Sequence, residues 1–309
     1  MGSVSIVIPT LNRPKALARA LASARAQTGV EDLEIEILVV DNSADGNARA
    51  GVEALAAAPG PAIRYVAAPV PGVANARNAG VAAAKGDWIA FLDDDEEAAP
   101  DWLASHVATA RRTGAAAVFG PVGAEAEDDK PIGPLAPYFS RFLDLPDGTD
   151  VTGRAAYLGT NNSMFERAAC LGGDQPFDTS MNEIGGEDTL LLRRLVAEGK
   201  RFAWSARGIV TEWVPERRLN WAYVRKRKFL SGQIRVLTHW KARPPEWLHI
   251  AFWMAAGSIQ IVLHGLAALA FAPIDPIRAE KARVKLHGGL GKLLWMRSRP
   301  ALYGSGLVS

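Results

Sequence analysis

Between residues 3 and 122 the chain alternates between five apolar, β-branched runs and four segments of helical periodicity. The runs are "VSIVIPT", "EIEILVVDN", "AIRYVAA", "DWIAFLD" and "AAAVFGPV". Between them lie "RPKALARALASARAQ", "NARAGVEALAAA", "VANARNAGVAAAK" and "DWLASHVATARR". In the first helical segment Pro14 stands near the start, and Leu17, Leu21 and Ala24 share one face. Strands that are almost continuously apolar must be covered on both faces, and helical crossovers are what joins parallel strands. The expected fold is therefore α/β, a Rossmann-like, mostly parallel sheet flanked by helices. Ligands of such folds gather beyond the carboxyl ends of the strands. Thr10, Asn12, Asp41, Asn42 and the cluster beginning at Asp93 all fall at such ends.

Past residue 125 the pattern loosens. Residues 125–154, rich in Pro, Gly and Asp, read as a long loop or small excursion. "AAYLGTNNSMF" returns as a strand, "GGEDTLLLRRLVAEGK" as a helix with acids at its start, and "RFAWSARGIVTEWV" as a further strand. Then the composition breaks. Residues 217–299 hold sixteen Lys or Arg against three acids, although the whole chain of 309 residues carries a net charge of only +2. Inside that basic region, Trp247 to Ile274 are 28 residues without a single Asp, Glu, Lys or Arg. A run of about 20 apolar residues suffices to cross a bilayer. Basic residues flank both ends, and His249, Gln260, His264 and the Gly257-Ser258 pair interrupt it. A span, a helical hairpin and an interfacial helix all fit, and a buried core helix is the bland alternative. Nucleic-acid binding would account for the charge but not for the uncharged stretch, so no nucleic-acid partner is expected. The one cysteine, Cys170, excludes an intramolecular disulfide and a cysteine-based zinc site. The amino terminus reads as a strand with no basic leader, which places the expected chain in the cytoplasm.

"FLDDDEEAAPDW" ends an apolar strand with five consecutive carboxylates. A solvated turn is the ordinary reading of such a run. At the carboxyl end of a parallel strand, however, Asp93 and Asp95 form a D-x-D pair able to hold a hard cation, Mg²⁺ or Mn²⁺. No G-x-x-x-x-G-K-[ST] loop occurs, and no G-x-G-x-x-G follows the first strand. An aspartyl-phosphatase nucleophile would stand after that strand, where the chain reads "IPTLNR". The economical remaining use of a metal is to hold a diphosphate leaving group.

"VSIVIPTLNRP", "ILVVDNSADG", "GVANARNAGVAAAKGDWIAFLDDDEEAAPDWL", "GTNNSMFERAACLGG" and "GGEDTLLLRRLVAEGK" resemble, in order, the motifs of family 2 glycosyltransferases of GT-A fold. The resemblance spans residues 3–218. The following "VTEWVPERRLNWAYVRKRKFLSG" is similar to bacterial exopolysaccharide glycosyltransferases of the succinoglycan ExoM type. What this implies is an inverting, metal-dependent transfer of one sugar from a nucleotide-diphosphate donor, UDP-linked, to a glycan hydroxyl. Pro9, Thr10 and Arg13 would line the nucleotide pocket, with Asn12, Asn42 and Asp94 beside them. Asp41 would meet the base, Arg77 the base or diphosphate, and Asp93 the ribose or the metal. Asp95 would be the principal metal ligand and Asp188 the general base, with Glu187 the alternative. Relatives carry a metal-binding histidine near "TEW"; Glu212 stands there, as a substitute ligand or a structural residue.

Other residues carry weaker expectations. Asn161 and Asn162 could meet sugar hydroxyls or serve a turn, and Gly185 and Gly186 would let an acceptor approach the backbone. Arg217 and Arg218 could clamp a diphosphate, with one of the two a surface charge. His106, His239 and His287 read as packing or surface residues, and Trp204 and Trp213 as core before sugar platforms. The expected domains are residues 1–215, catalytic, and 216–309, a helical extension at the membrane surface. The expected acceptor is a glycan on a polyprenyl diphosphate at the cytoplasmic face of the bacterial inner membrane. The rival is a degenerate relative that binds a nucleotide sugar or glycan without chemistry. A nucleotidyltransferase is a weaker third reading, since its glycine-rich loop is missing.

Overall fold

Neighbouring residues of the first strands face different cores, as a sheet covered on both sides requires. Ile37 and Val39 join Ile6, Ile8, Leu21 and Trp102 in one core; Leu38 and Val40 join Val7, Val81, Phe91 and Leu192 in the other. The computed structural model describes residues 2–128 and 130–297. Its strands are β1 (Ser3–Thr10), β2 (Glu34–Asp41), β3 (Ala62–Ala67), β4 (Trp88–Phe91), β5 (Glu96–Ala98), β6 (Ala117–Phe119), β7 (Val122–Ala126), β8 (Ser163–Glu166), β9 (Phe202–Trp204) and β10 (Val210–Val214). Seven form the main sheet in the order β3-β2-β1-β4-β8-β6-β9, and β5-β10-β7 make a second, small one. Only β8 runs against its neighbours in the main sheet, so the expectation of a mostly parallel sheet holds.

The helices are α1 (Pro14–Arg25), α2 (Arg49–Ala56), α3 (Val73–Ala83), α4 (Trp102–Thr113), α5 (Arg167–Cys170), α6 (Glu187–Ala197), α7 (Trp221–Trp240), α8 (Trp247–Phe271) and α9 (Pro276–Leu293). Pro14 opens α1, where a missing amide costs nothing. The stripe of Leu17, Leu21 and Ala24 is buried as its spacing predicts.

Three strand expectations need correction. "AAAVFGPV" divides into β6 and β7, and "RFAWSARGIVTEWV" into β9 and β10, each pair split between the two sheets. Continuity of apolar residues cannot report such a change of sheet. Most of "AAYLGTNN" is a 3₁₀ turn and loop, and the strand is confined to Ser163–Glu166. The acidic run itself contains β5, paired antiparallel with β10.

The apolar stretch near the carboxyl terminus is one unbroken helix, α8, and neither a hairpin nor a core helix. Only Ile250, Gly257 and Ala268 are buried along it, while Leu248, Phe252, Ile259, Leu263, Leu266 and Leu269 stand exposed. By length and composition it could cross a membrane. Its inner edge packs on α9, and α9 on α7, through glycines: a Cβ at Gly257 would lie 2.9 Å from the Gly289 carbonyl oxygen. Cβ atoms at Gly232 and Gly291 would likewise run into the backbone at Gly288 and Phe229. Backbones thus touch directly at these crossings. Val224 of α7 and Val284 of α9 also share a small core with Leu135, Phe139 and Val214. This core binds the helical layer to residues 133–139 and β10.

Candidate active site

β1 lies between β2 and β4, and the chain moves outward to β3 before returning to β4. The carboxyl ends of β1 and β4 therefore flank a topological switch point, where an open α/β sheet leaves a crevice. Thr10 ends β1 and the three aspartates follow β4. The crevice is a cavity of about 690 Å³.

Three of the four arginines that line it, Arg13, Arg77 and Arg218, meet carboxylates. Arg13 Nη1 donates to Asp94 Oδ1 at 2.9 Å and to Asp95 Oδ2 at 3.1 Å, and Thr10 Oγ1 donates to Asp94 Oδ2 at 2.8 Å. Arg218 Nη1 reaches Asp95 Oδ2 at 3.1 Å and lies 3.7 Å from Glu212 Oε1. Arg77 bridges the two acidic segments, donating to Asp93 Oδ1 at 3.3 Å and Glu187 Oε1 at 2.5 Å. Glu96 accepts from the Asp93 amide at 3.0 Å and from Asn161 Nδ2 at 2.9 Å.

Across Arg77 from Asp93 stands the first turn of α6. Gly186 caps it with φ of 100°, a conformation that favours glycine. Glu187 is buried and turned onto Arg77. Asp188 remains half-exposed in the cavity, its Oδ1 accepting from the Thr189 amide at 2.6 Å. The positive end of the helix dipole faces its charge.

Carboxylates outnumber arginines here, and the surplus shows in their proton affinities. Burial, then repulsion from Asp188, pushes Glu187 up to about 7 against the pull of Arg77. Burial and Asp95 raise Glu212 to about 7. Asp94 rises to about 7 through burial, with Asp95 opposing the relief from Arg13. Burial also raises Asp93 and Glu96. A pocket of all-oxygen donors short of positive charge has the chemistry that suits a hard dication. Asp93, Asp95 and Glu212 offer donors of that kind, but their oxygens do not converge on one point in this structure, where Arg218 stands between Asp95 and Glu212.

The cavity brings together Pro9, Thr10, Arg13, Asn42, Arg77, Asp93, Asp94, Asp95, Asn161, Gly186, Glu187, Asp188, Glu212 and Arg218. Five expected residues do not line it. Asp41 is fully buried beneath, its Oδ1 held by the Ser43 amide and its Oδ2 by the Ala48 amide, both at 2.9 Å. A base edge cannot reach it there. Asn12 is exposed and pairs with Asn47. Asn162 turns inward with φ of 53° and binds Trp102 Nε1, Pro121 O and Gly208 O. Arg217 points to solvent while Arg218 points in. Gly185 lies outside the lining. The space beside Gly186 belongs to Ile234 of α7, 2.6 Å from where a Cβ would stand, and not to an acceptor. Tyr223 and Arg227 of α7 line the cavity from beyond the expected boundary at residue 215.

Sequence reasoning missed a second cavity of about 540 Å³, which shares Asn161, Glu212 and Arg227 with the first. The excursion after β7 and the 3₁₀ turn before β8 supply its other walls, including Tyr138, Phe142, Arg154 and Tyr157. Arg141, also missed, donates to Asn161 Oδ1 at 3.1 Å and to the Asn161 carbonyl at 2.8 Å. No motif marks Arg141; only its place among the Pro and Gly residues of the excursion hints at a formed surface.

A second cluster of possible ligands, His239, Glu246 and His249, lines neither cavity. His239 and Glu246 already have hydrogen-bond partners. Trp253 Nε1 donates to His239 Nε2 at 3.1 Å, so Nδ1 carries the proton toward Glu246. Arg193 Nη2 reaches both Glu246 oxygens at 2.8 Å. The cluster ties α6, α7 and α8 together, and His239 is a packing residue as expected. Burial does the same to His106, whose pKa falls to about 4, and Trp204 lies in the core.

Comparison with known proteins agrees with this architecture. Residues 5–169 match the family described as Glycosyl transferase family 2. The chain is 38% identical over 234 residues to the succinoglycan biosynthesis protein ExoM of Rhizobium meliloti (strain 1021), covering 74% of this chain and 73% of that protein. It is 32% identical over 209 residues to succinoglycan biosynthesis protein ExoO of the same organism, covering 65% and 57%. Among solved structures, the mannosyltransferase PcManGT from Pyrobaculum calidifontis, in complex with GDP-Man and Mn²⁺, superposes with a TM-score of 0.62 at 22% identity. That alignment covers 96% of this chain and 88% of the other. S. aureus TarS 1-349 in complex with UDP gives 0.56 at 14% identity, covering 96% and 91%. The chain belongs to glycosyl transferase family 2 and has the GT-A fold.

Proposed function

We propose that this glycosyltransferase moves one sugar, with inversion, from a UDP-linked donor to a hydroxyl of a lipid-linked glycan during exopolysaccharide synthesis. The observation that carries the reading is that the aspartate cluster and Asp188 line one cavity, with Arg77 bridging Asp93 to the neighbouring Glu187. Inversion needs a base on the face of the sugar away from the departing diphosphate. Asp188 takes the proton of the acceptor hydroxyl as its oxygen bonds to the anomeric carbon. The bond from that carbon to the phosphate oxygen breaks, and the nucleoside diphosphate leaves with the electron pair. Asp93, Asp95 and Glu212 would hold a divalent cation, which when bound supplies positive charge to the diphosphate. Arg13 and Arg218, paired with the aspartates in the present structure, lie ready to turn to phosphate oxygens. Glu187 fixes Arg77, which is a positioning role and leaves Asp188 as the base.

The relatives named for succinoglycan biosynthesis support the pathway class. The exposed apolar helix α8, bracketed by Lys241, Arg243, Arg278 and Lys281, supports attachment to an anionic membrane at its cytoplasmic face. The full-length protein would be mixed with Mn²⁺ and each of a set of UDP- and GDP-sugars, and nucleoside diphosphate release followed. Slow release from a UDP-sugar that is lost on adding chelator is expected. Donor binding with no release, with or without acceptor, would instead favour the non-catalytic binding subunit.

A further inference from the structure

The second cavity differs in kind from the first, and apart from Glu212 in the shared wall the transfer step uses none of its residues. Tyr138, Phe139, Phe142 and Tyr157 give it aromatic walls. Phe142 and Tyr157 are 54% and 67% exposed, so these rings are displayed and not packed away. The arginines near it are unlike those of the donor cavity. Arg154 and Arg227 in its wall, and Arg235 beside it, make no ion pair within 4 Å among the described residues. Arg227 instead donates to the Tyr138 carbonyl at 3.1 Å and lies 5.5 Å from the centre of the Phe139 ring.

Two junctions give this cavity a direction. At its inner end, around Gly159, an added Cβ would lie 2.8 Å from Asn161 Oδ1, 3.2 Å from Asp188 Oδ2 and 3.3 Å from Arg141 Nη1. The base therefore stands at the partition between the cavities. At the outer end, the Arg235 guanidinium lies 5.3 Å from the centre of the Tyr157 ring and 5.2 Å from that of Trp253 on α8. A line of Asp188, Asn161, Tyr157, Arg235 and Trp253 thus runs from the reacting site to the exposed apolar helix.

Resting on the function proposed above, the geometry points to this cavity as the acceptor site, filled by a sugar carried on a lipid diphosphate. The apolar face of a sugar ring suits an aromatic wall while its hydroxyl edge meets Asn161. The diphosphate needs uncompensated cationic groups, which Arg154 and Arg235 offer at the outer end. The lipid then lies along α8. This arrangement delivers the sugar's hydroxyl to Asp188 past Asn161, at the partition between the two cavities.

Calorimetry on the full-length protein in detergent tests it, with farnesyl-diphosphate-linked glucose as the probe and UDP with Mn²⁺ as the control. Arg154→Gln combined with Tyr157→Ala is expected to weaken the probe at least tenfold and to leave UDP affinity within twofold. Both side chains are exposed, so the variant should fold, and retained UDP binding would report that it has. Unchanged probe affinity in the double variant, or no probe binding by the wild type, would overturn the inference. So would farnesyl diphosphate without glucose binding as tightly as the probe. Failure of the wild type to bind UDP would overturn the donor reading instead, and the two failures are separable.

Discussion

The two cavities share a wall that holds Glu212 and Arg227, and differ in how their remaining arginines are paired. In the larger one Arg13, Arg77 and Arg218 are each matched by carboxylates, and acids remain in excess. In the smaller one Arg154 has no acid within ion-pair distance among the described residues, nor has Arg227, which lines both. The difference teaches that the first cavity is neutralised from within and repels an anion until positive charge is added or its arginines are released. In the second, Arg154 stands in the wall without an acid partner, so on the proposal above a phosphate there would meet a cation already present.

The sharpest way to break this division is at the partition. Asp188→Asn should lower transfer by about 10³-fold or more while UDP affinity stays within about twofold, because only proton acceptance is removed. Steady-state turnover and calorimetry together check it; a parallel loss of UDP affinity would move Asp188 into the donor site. Next, Asp95→Ala or a chelator should each weaken UDP by about tenfold or more, yet leave farnesyl diphosphate binding unchanged. Equal sensitivity of both ligands to chelator would erase the contrast. The smallest effect concerns the shared wall. Glu212→His should keep Mn²⁺-dependent UDP affinity within about threefold, and Glu212→Ala should lose more, if position 212 supplies a ligand. Equal loss in both variants would make Glu212 a partner of Arg218 only.

Much of the donor side could be read from the chain because its signals are local. A strand of continuous Val and Ile ends where Thr10 begins the polar rim, and three aspartates end another. Asp188 sits at a helix start that four consecutive residues announce. What could not be read depends on contacts distant in sequence or on single backbone turns. Asn161 faces the cavity whereas Asn162, at positive φ, faces the protein interior. Arg218 enters and Arg217 leaves for the same kind of reason, one step of a 3₁₀ turn apart. Asp41 looked like a rim residue at a strand end, but adjacent backbone amides claim both of its oxygens. The second cavity was illegible altogether, since residues from an excursion, a 3₁₀ turn and α7 form it without any shared pattern.

The glycine contacts among α7, α8 and α9 have a mechanical consequence. Where main chain rests on main chain at Gly257, Gly232 and Gly291, the helices have little room to slide past one another. Any lipid surface that grips α8 then sets the elevation of Tyr223 and Arg227, and with them the cleft. On the function proposed above, such a molecule would work like a gauge of fixed height, reaching sugars one set distance above the bilayer.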